Sequence, residues 1–113
     1  MTEDYAQVVR EHEVWVGVRD QVITGLIVLS RKPDHLLIEN LAVLPSEQGL
    51  GTGSRMLALA EERAREYGVA ELRLYTNEVM TENIAYYPRR GYVETHRGGD
   101  GGYRRVFFSK RLH

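Results

Sequence analysis

The chain has no cysteine, which rules out disulfides, thiolate metal sites and a cysteine nucleophile. It has no excess of one charge either. Fifteen Lys and Arg against 16 Asp and Glu leave a formal net charge of −1, a poor match for non-specific nucleic-acid binding. No apolar run approaches the length of a membrane span, and Thr2, Glu3 and Asp4 do not open a signal peptide, so no membrane partner and a cytoplasmic location are expected. The histidines His12, His35, His96 and His113 lack ligand spacing; each reads as a surface residue, and no metal is expected. Internal repeats, linkers and low-complexity stretches are absent as well.

What remains is ordinary globular material. At 113 residues, 42% hydrophobic and 27% charged, the chain reads as one domain over residues 1–113.

Its organising stretch is Leu36 to Tyr67. Leu36 to Leu44 is nearly all apolar, the pattern of a strand covered on both faces, and Pro45 stops it. The turn Gln48-Gly49-Leu50-Gly51-Thr52-Gly53-Ser54 follows. Met56, Ala60, Ala64 and Tyr67 then repeat at helical spacing, and Gly68 stands where a helix C′ residue belongs. A glycine turn that opens a helix makes an anion cradle. The first helical N–H groups have no partner within the helix, and glycines remove the Cβ atoms that would hold a phosphate away.

Before this stretch, Val14–Val18 and Val22–Leu29 read as an antiparallel hairpin turning at Arg19-Asp20-Gln21, with Gly17 and Gly25 as bulges or close approaches. Tyr5, Val8 and Val9 could share one side of a short helix or belong to a frayed end. After Gly68, Glu71–Thr76 is a strand parallel to Leu36–Leu44. Thr81 is the expected N-cap of a helix through Arg90, ended by Gly91. Tyr92–His96 and Tyr103–Leu112 are strands around a glycine-rich loop.

Three phosphate-binding patterns compete for the turn. A Walker loop needs Gly-Lys-Ser/Thr, and there is no lysine here; a dinucleotide fingerprint needs Gly-x-Gly-x-x-Gly, whereas these glycines fall at 49, 51 and 53. Gln48-x-x-Gly51-x-Gly53, after Leu41-Ala42-Val43-x-Pro45, resembles the acyl-CoA signature of the GNAT superfamily of N-acetyltransferases. Asn83-x-Ala85-x-Tyr87-x-x-x-Gly91-Tyr92 is similar to a second segment of that family. The resemblance covers roughly residues 12 to 112. It implies a GNAT-like α/β (α+β) fold: a mixed, mostly antiparallel sheet with a central parallel strand pair and flanking helices.

The resemblance also implies chemistry: an acetyl group moves from acetyl-CoA to an acceptor amine by direct attack, with no cysteinyl intermediate. Gln48, Gly49, Leu50, Gly51, Thr52, Gly53 and Ser54 would hold the diphosphate. The main chain of Leu41, Ala42 and Val43 would meet the pantetheine arm, with the Val43 N–H as oxyanion donor. Asn83 would bond that arm, Asn77 being the weaker candidate. Tyr87 would protonate the leaving thiolate. Pro88 ends or kinks the helix beside it, which makes Tyr86 the fallback. Glu39 shares a strand face with Leu41 and Val43 and is the candidate base; the alternative is a solvated or ion-paired carboxylate. Arg89, Arg90, Arg97, Arg104, Arg105, Lys110 and Arg111 make the C-terminal third basic, as a solvated hairpin face or as a contact for the CoA 3′-phosphate or an acidic acceptor. Family members carry a strand and helices before the hairpin, where this chain has about a dozen residues. An open acceptor site, or a homodimer completed by pairing C-terminal strands, is therefore expected. The competing functions are a non-catalytic acyl-CoA-binding module and a nucleotide-binding domain.

Overall fold

The structure, a computed structural model, describes residues 12–99 and 104–113. The stretch with Tyr5, Val8 and Val9 and part of the loop after Arg97 lie outside the described residues. Among the described residues six strands and two α-helices follow one another: β1 (His12–Arg19), β2 (Val22–Arg31), β3 (Leu36–Val43), α1 (Thr52–Glu66), β4 (Glu71–Asn77), α2 (Thr81–Tyr86), β5 (Val93–Gly98) and β6 (Arg105–Arg111). Short 3₁₀ turns at Pro45–Glu47 and Pro88–Arg90 link them. Among the described residues no helix is long and apolar enough to cross a membrane.

The strands form one sheet in the order β1-β2-β3-β4-β6-β5. The pair β3–β4 is parallel and the other pairs are antiparallel, the mixed sheet expected from sequence. The hairpin β1–β2 turns on Asp20 and Gln21, both at positive φ (51° and 67°), the geometry of the two-residue turns that match strand twist. The last strand lies between β4 and β5, so it is not an edge. At that side of the sheet, among the described residues, the free edge belongs to β5.

One face of the sheet holds the core. Ile27, Leu29, Leu36, Ile38, Leu72, Leu74, Val106 and Phe108 are buried with Met56, Leu57, Ala60 and Ala64 of α1 and with Tyr87 and Tyr92. Each such aliphatic or aromatic side chain removed from water contributes about 1.5–3 kcal/mol. Ala60 and Ala64, both fully buried, let α1 lie close to the strands. The helix ends as Gly68 predicts. Gly68 takes φ 76°, its N–H donates to Arg65 O, and the Val69 N–H donates to Ala64 O, which is the paired bonding of a Schellman motif.

Strand β3 departs from expectation. Leu36 and Ile38 are buried, but Glu39, Asn40 and Ala42 are exposed, so only the helix-bearing face is covered. A run of apolar residues hides which face is wet. The second helix departs too. Met80, not Thr81, is its N-cap, and no side chain caps it. The α-helix stops at Tyr86, and Pro88 starts a 3₁₀ turn that Gly91 ends at φ 91°. Tyr87 nonetheless keeps helical angles (φ −66°, ψ −39°) in front of the proline.

Strand β1 is tied to α1 by Glu13. Its carboxylate accepts from Arg63 Nε at 2.7 Å, from Trp15 Nε1 at 2.7 Å and from the Tyr67 hydroxyl. Burial alone would push the Glu13 carboxyl up, but these donors outweigh it and hold it at about 2, against 4.5 unperturbed. A carboxyl depressed by folding stabilises the protein above its unfolded value, and that contribution fades as pH falls. Glu13→Gln should therefore lower stability by about 1–2 kcal/mol at pH 7, a figure discounted because water reaches the pair. Urea titrations at several pH values should show the gap from wild type closing between pH 4.5 and pH 2.

Candidate functional site

The site begins where two strands separate. β3 and β4 pair only from Leu36 to Ile38 and from Leu72 to Leu74. Beyond that point β3 keeps its ladder with β2, from Leu41 opposite Ile27 to Val43 opposite Gly25, and β4 keeps its ladder with β6. A wedge opens between them. The Leu44 N–H donates to Thr24 O on β2 at 2.9 Å. Amides alternate in direction along a strand, so those of Val43 and Leu41 face the wedge.

Beyond the strand end the chain makes its glycine turn. Gly49 and Gly51 take φ 81° and 86°, a region that costs a side-chain-bearing residue energy. Gly51 is the N-cap of α1 and supplies no side-chain cap. The first hydrogen bond of the helix runs from Arg55 N to Gly51 O at 3.0 Å, so the amides of Thr52, Gly53 and Ser54 precede it. Arg55 folds back over the turn, with Nη1 on Leu50 O at 3.2 Å and Nη2 near Thr52 Oγ1 at 3.4 Å. It pins the turn and adds positive charge beside the helix terminus.

The opposite wall comes from α2 and the turn after it. Asn83 is held by Thr76, its Nδ2 donating to Oγ1 at 3.2 Å. Tyr87 is buried, its ring packed by Tyr86, Tyr92 and Phe108 at centroid distances of 5.4, 5.7 and 5.7 Å. Burial, with Tyr86 beside it, pushes the Tyr87 phenol up to about 12. Tyr86 points elsewhere, toward Gly53, with the Arg90 guanidinium over its ring at 4.6 Å.

These walls enclose one cavity of about 490 Å³. Of the residues expected from sequence, Leu41, Val43, Gln48, Gly49, Gly51, Thr52, Gly53, Ser54, Asn83 and Tyr87 line it. Ala42 and Leu50 do not; both are exposed. Glu39 does not either. The register passes from Leu29 opposite Ile38 to Val28 opposite Asn40, so Glu39 is the extra residue of a bulge. That bulge breaks the period that would have put Glu39 on the face of Leu41 and Val43, and its carboxylate instead lies 2.8 Å from His12 Nε2. Asn77 is engaged in its own loop, its Oδ1 accepting from the Val79 N–H at 3.0 Å.

Three lining residues had no counterpart in the motif reading. Tyr86 entered only as a fallback for Tyr87, and Arg90 only as part of a basic stretch. Glu47 had no signal at all; its Oε1 sits 3.0 Å from Arg19 Nη2, at an angle too poor for a hydrogen bond. The histidines are not alike. His35, with Nδ1 2.7 Å from Asp34, has a side chain only 14% exposed, a correction to its surface reading, while His96 stacks on Phe107 at 4.2 Å.

A model of the acetyltransferase (GNAT) family matches residues 1–92. The chain belongs to that family. Among curated GNAT relatives, aminoalkylphosphonate N-acetyltransferase of Salmonella typhimurium is 41% identical over 59 residues, covering 52% of this chain and 38% of that protein. This chain spans less than half the length of the curated relatives it matches. Among solved structures, nourseothricin acetyltransferase superposes with a TM-score of 0.83 at 25% identity, over 91% of this chain and 66% of that one. A GNAT acetyltransferase from Elizabethkingia anophelis, solved with acetyl-CoA bound, has a TM-score of 0.81 at 19% identity, over 99% of this chain and 84% of that one. The likeness to the second shows the shared GNAT fold.

The turn makes a stability prediction. Gly51→Ala and Gly49→Ala should each cost about 1 kcal/mol, because alanine is strained at positive φ. Gly98→Ala, with no atom within 4 Å of its new Cβ and no positive φ, should cost less than half as much in the same urea titrations.

Proposed function

We propose that this domain is an acetyl-CoA-dependent N-acetyltransferase that works by direct attack of an acceptor amine on the thioester. One observation carries the reading: the amides that open α1 and the unpaired edge of β3 border a single cavity. A helix terminus alone suits any anion. A terminus continuous with a slot of strand amides suits a diphosphate joined to a long, narrow arm. Acetyl-CoA has that shape, and the family resemblance supports it.

In this reading the amides of Thr52, Gly53 and Ser54 hold the diphosphate, and Asn83 bonds the arm. The Val43 N–H donates to the carbonyl oxygen as negative charge grows on it, where a fixed donor helps most. The Tyr87 hydroxyl faces the departing sulfur. Its phenol sits near 12, whereas a thiol titrates near 8.5. Full proton transfer from Tyr87 to the thiolate would therefore run uphill by about 5 kcal/mol. Tyr87 acts as a hydrogen-bond donor that spreads the charge on sulfur, and solvent completes the protonation.

The tests separate binding from chemistry. Calorimetric titration should show micromolar affinity for acetyl-CoA and none for NAD, and Gly51→Glu should abolish it by placing a carboxylate in the cradle. Free-thiol release with a panel of amines should follow. Binding without thiol release for any amine would leave a non-catalytic acyl-CoA-binding module. Tyr87→Phe should lower kcat about 10- to 100-fold with the dissociation constant nearly unchanged. Because its phenol sits near 12, the wild-type rate should show no fall from pH 8 to pH 10 that Tyr87→Phe removes.

A further inference from the structure

The glycine turn supplies one side of the proposed diphosphate site. The side facing it is made of side chains. A methyl group built on Gly53 would lie 2.9 Å from the Tyr86 hydroxyl oxygen, so that oxygen sits against the first turn of α1. Glycine at 53 is what admits it. The Tyr86 ring is covered by the Arg90 guanidinium at 4.6 Å, and both residues line the cavity.

The pair is built, not incidental. Tyr86 ends α2 and Arg90 ends the 3₁₀ turn, four residues later. The carbonyl of Arg90 accepts from Lys110 Nζ at 2.9 Å, and the same Nζ bonds Glu61 of α1 at 2.8 Å. Arg90 is therefore anchored by its backbone to the helix whose terminus it faces. Stacking on Tyr86 holds the guanidinium at the cavity without an acidic partner at that contact. A cation over an aromatic face, with a hydroxyl donor at the far end of the ring, presents two fixed groups to an anion.

We propose that Tyr86 and Arg90 form a side-chain clamp that holds the carrier's diphosphate beside the glycine turn. The proposal rests on the acyl-CoA reading of the cavity. Tyr86 is then a binding residue, and its neighbour Tyr87 serves the chemistry. Consecutive helical residues differ by about 100° in direction, so one tyrosine can face the sulfur while the other faces the diphosphate.

The experiment compares two ligands: CoA, and pantetheine, which has the same arm without the diphosphate. Affinities of wild type, Tyr86→Phe, Arg90→Gln and Tyr87→Phe are measured by calorimetry, with melting curves as the folding control. Tyr86→Phe keeps the ring and should weaken CoA binding about tenfold, the size of one hydrogen bond to a charged group, leaving pantetheine unchanged. Arg90→Gln should weaken CoA about three- to tenfold and flatten the dependence of affinity on salt. Tyr87→Phe should change CoA and pantetheine affinity by the same factor, since both ligands carry the sulfur it faces. Equal CoA affinity for Tyr86→Phe and wild type would overturn the clamp, as would equal losses for CoA and pantetheine. If wild type bound CoA no better than pantetheine, the cradle would fall, and the clamp with it; a clamp failing alone leaves wild-type CoA binding intact.

Discussion

The structure turns on a short parallel pairing. Three residues of β3 meet three of β4, and then the strands part. Separation has a cost. A strand edge buried without partners leaves amides that would otherwise be bonded, and each such group costs about 1–3 kcal/mol if water cannot reach it. The protein tolerates this because the wedge is open and because each strand keeps its outer neighbour. The β2–β3 ladder runs on to Val43, and Leu44 closes it on Thr24. The close fit there depends on Gly25, where any Cβ would come within 2.7 Å of the Ala42 carbonyl oxygen. What the wedge lacks in sheet bonds a ligand's amides and carbonyls can supply.

The elements around the wedge hold it at a fixed width. α1 is clamped to the sheet by alanines and ends cleanly in its Schellman bonds. α2 is short and uncapped by side chains, so it draws little stability from its own hydrogen bonds. It is positioned by packing: Tyr87 against Tyr92 and Phe108, Asn83 against Thr76, and Lys110 drawing the following turn toward Glu61. Pro88 therefore does not spoil the arrangement. The α-helix ends at Tyr86, two residues before it, and the buried ring keeps Tyr87 helical where a following proline disfavours it.

Much of this was legible in the residues. The order of elements, the glycine turn, the C′ glycine at 68 and the parallel pair all follow from periodicity and turn chemistry. The illegible parts have physical causes. Glu39 sits at a bulge, and a bulge shifts a strand's faces without leaving a mark in an apolar run. Met80 stands at the N-cap position of α2 without a side-chain cap, and Asn77 Oδ1 accepts from the Val79 N–H in the loop before it. The two faces of β3 could not be told apart because both carry apolar residues. Arg90 and Glu47 line the cavity from short turns, and no short motif encodes their place there.

The charges at the cavity show the same logic. Among its lining residues Glu47 is the only carboxylate, and it stands in a cavity otherwise suited to anions. Unpartnered, it would oppose a diphosphate. Arg19, at the end of β1, lies 3.0 Å from it and cancels most of its field. The side chain of Arg19 is half exposed while that of Glu47 is only 15% exposed, so solvent screens the cation more than the anion. Two further guanidinium groups stand nearby: Arg90, over Tyr86 in the cavity wall, and Arg55, folded back on the turn beside it. A near-neutral protein thus sets guanidinium groups in and beside this cavity. The basic stretch in the C-terminal third divides accordingly: Arg97, Arg104 and Lys110 pair with Glu94, Glu78 and Glu61 on the surface, while Arg90 alone of that stretch lines the cavity. Net charge says little about where a chain's positive charge is placed.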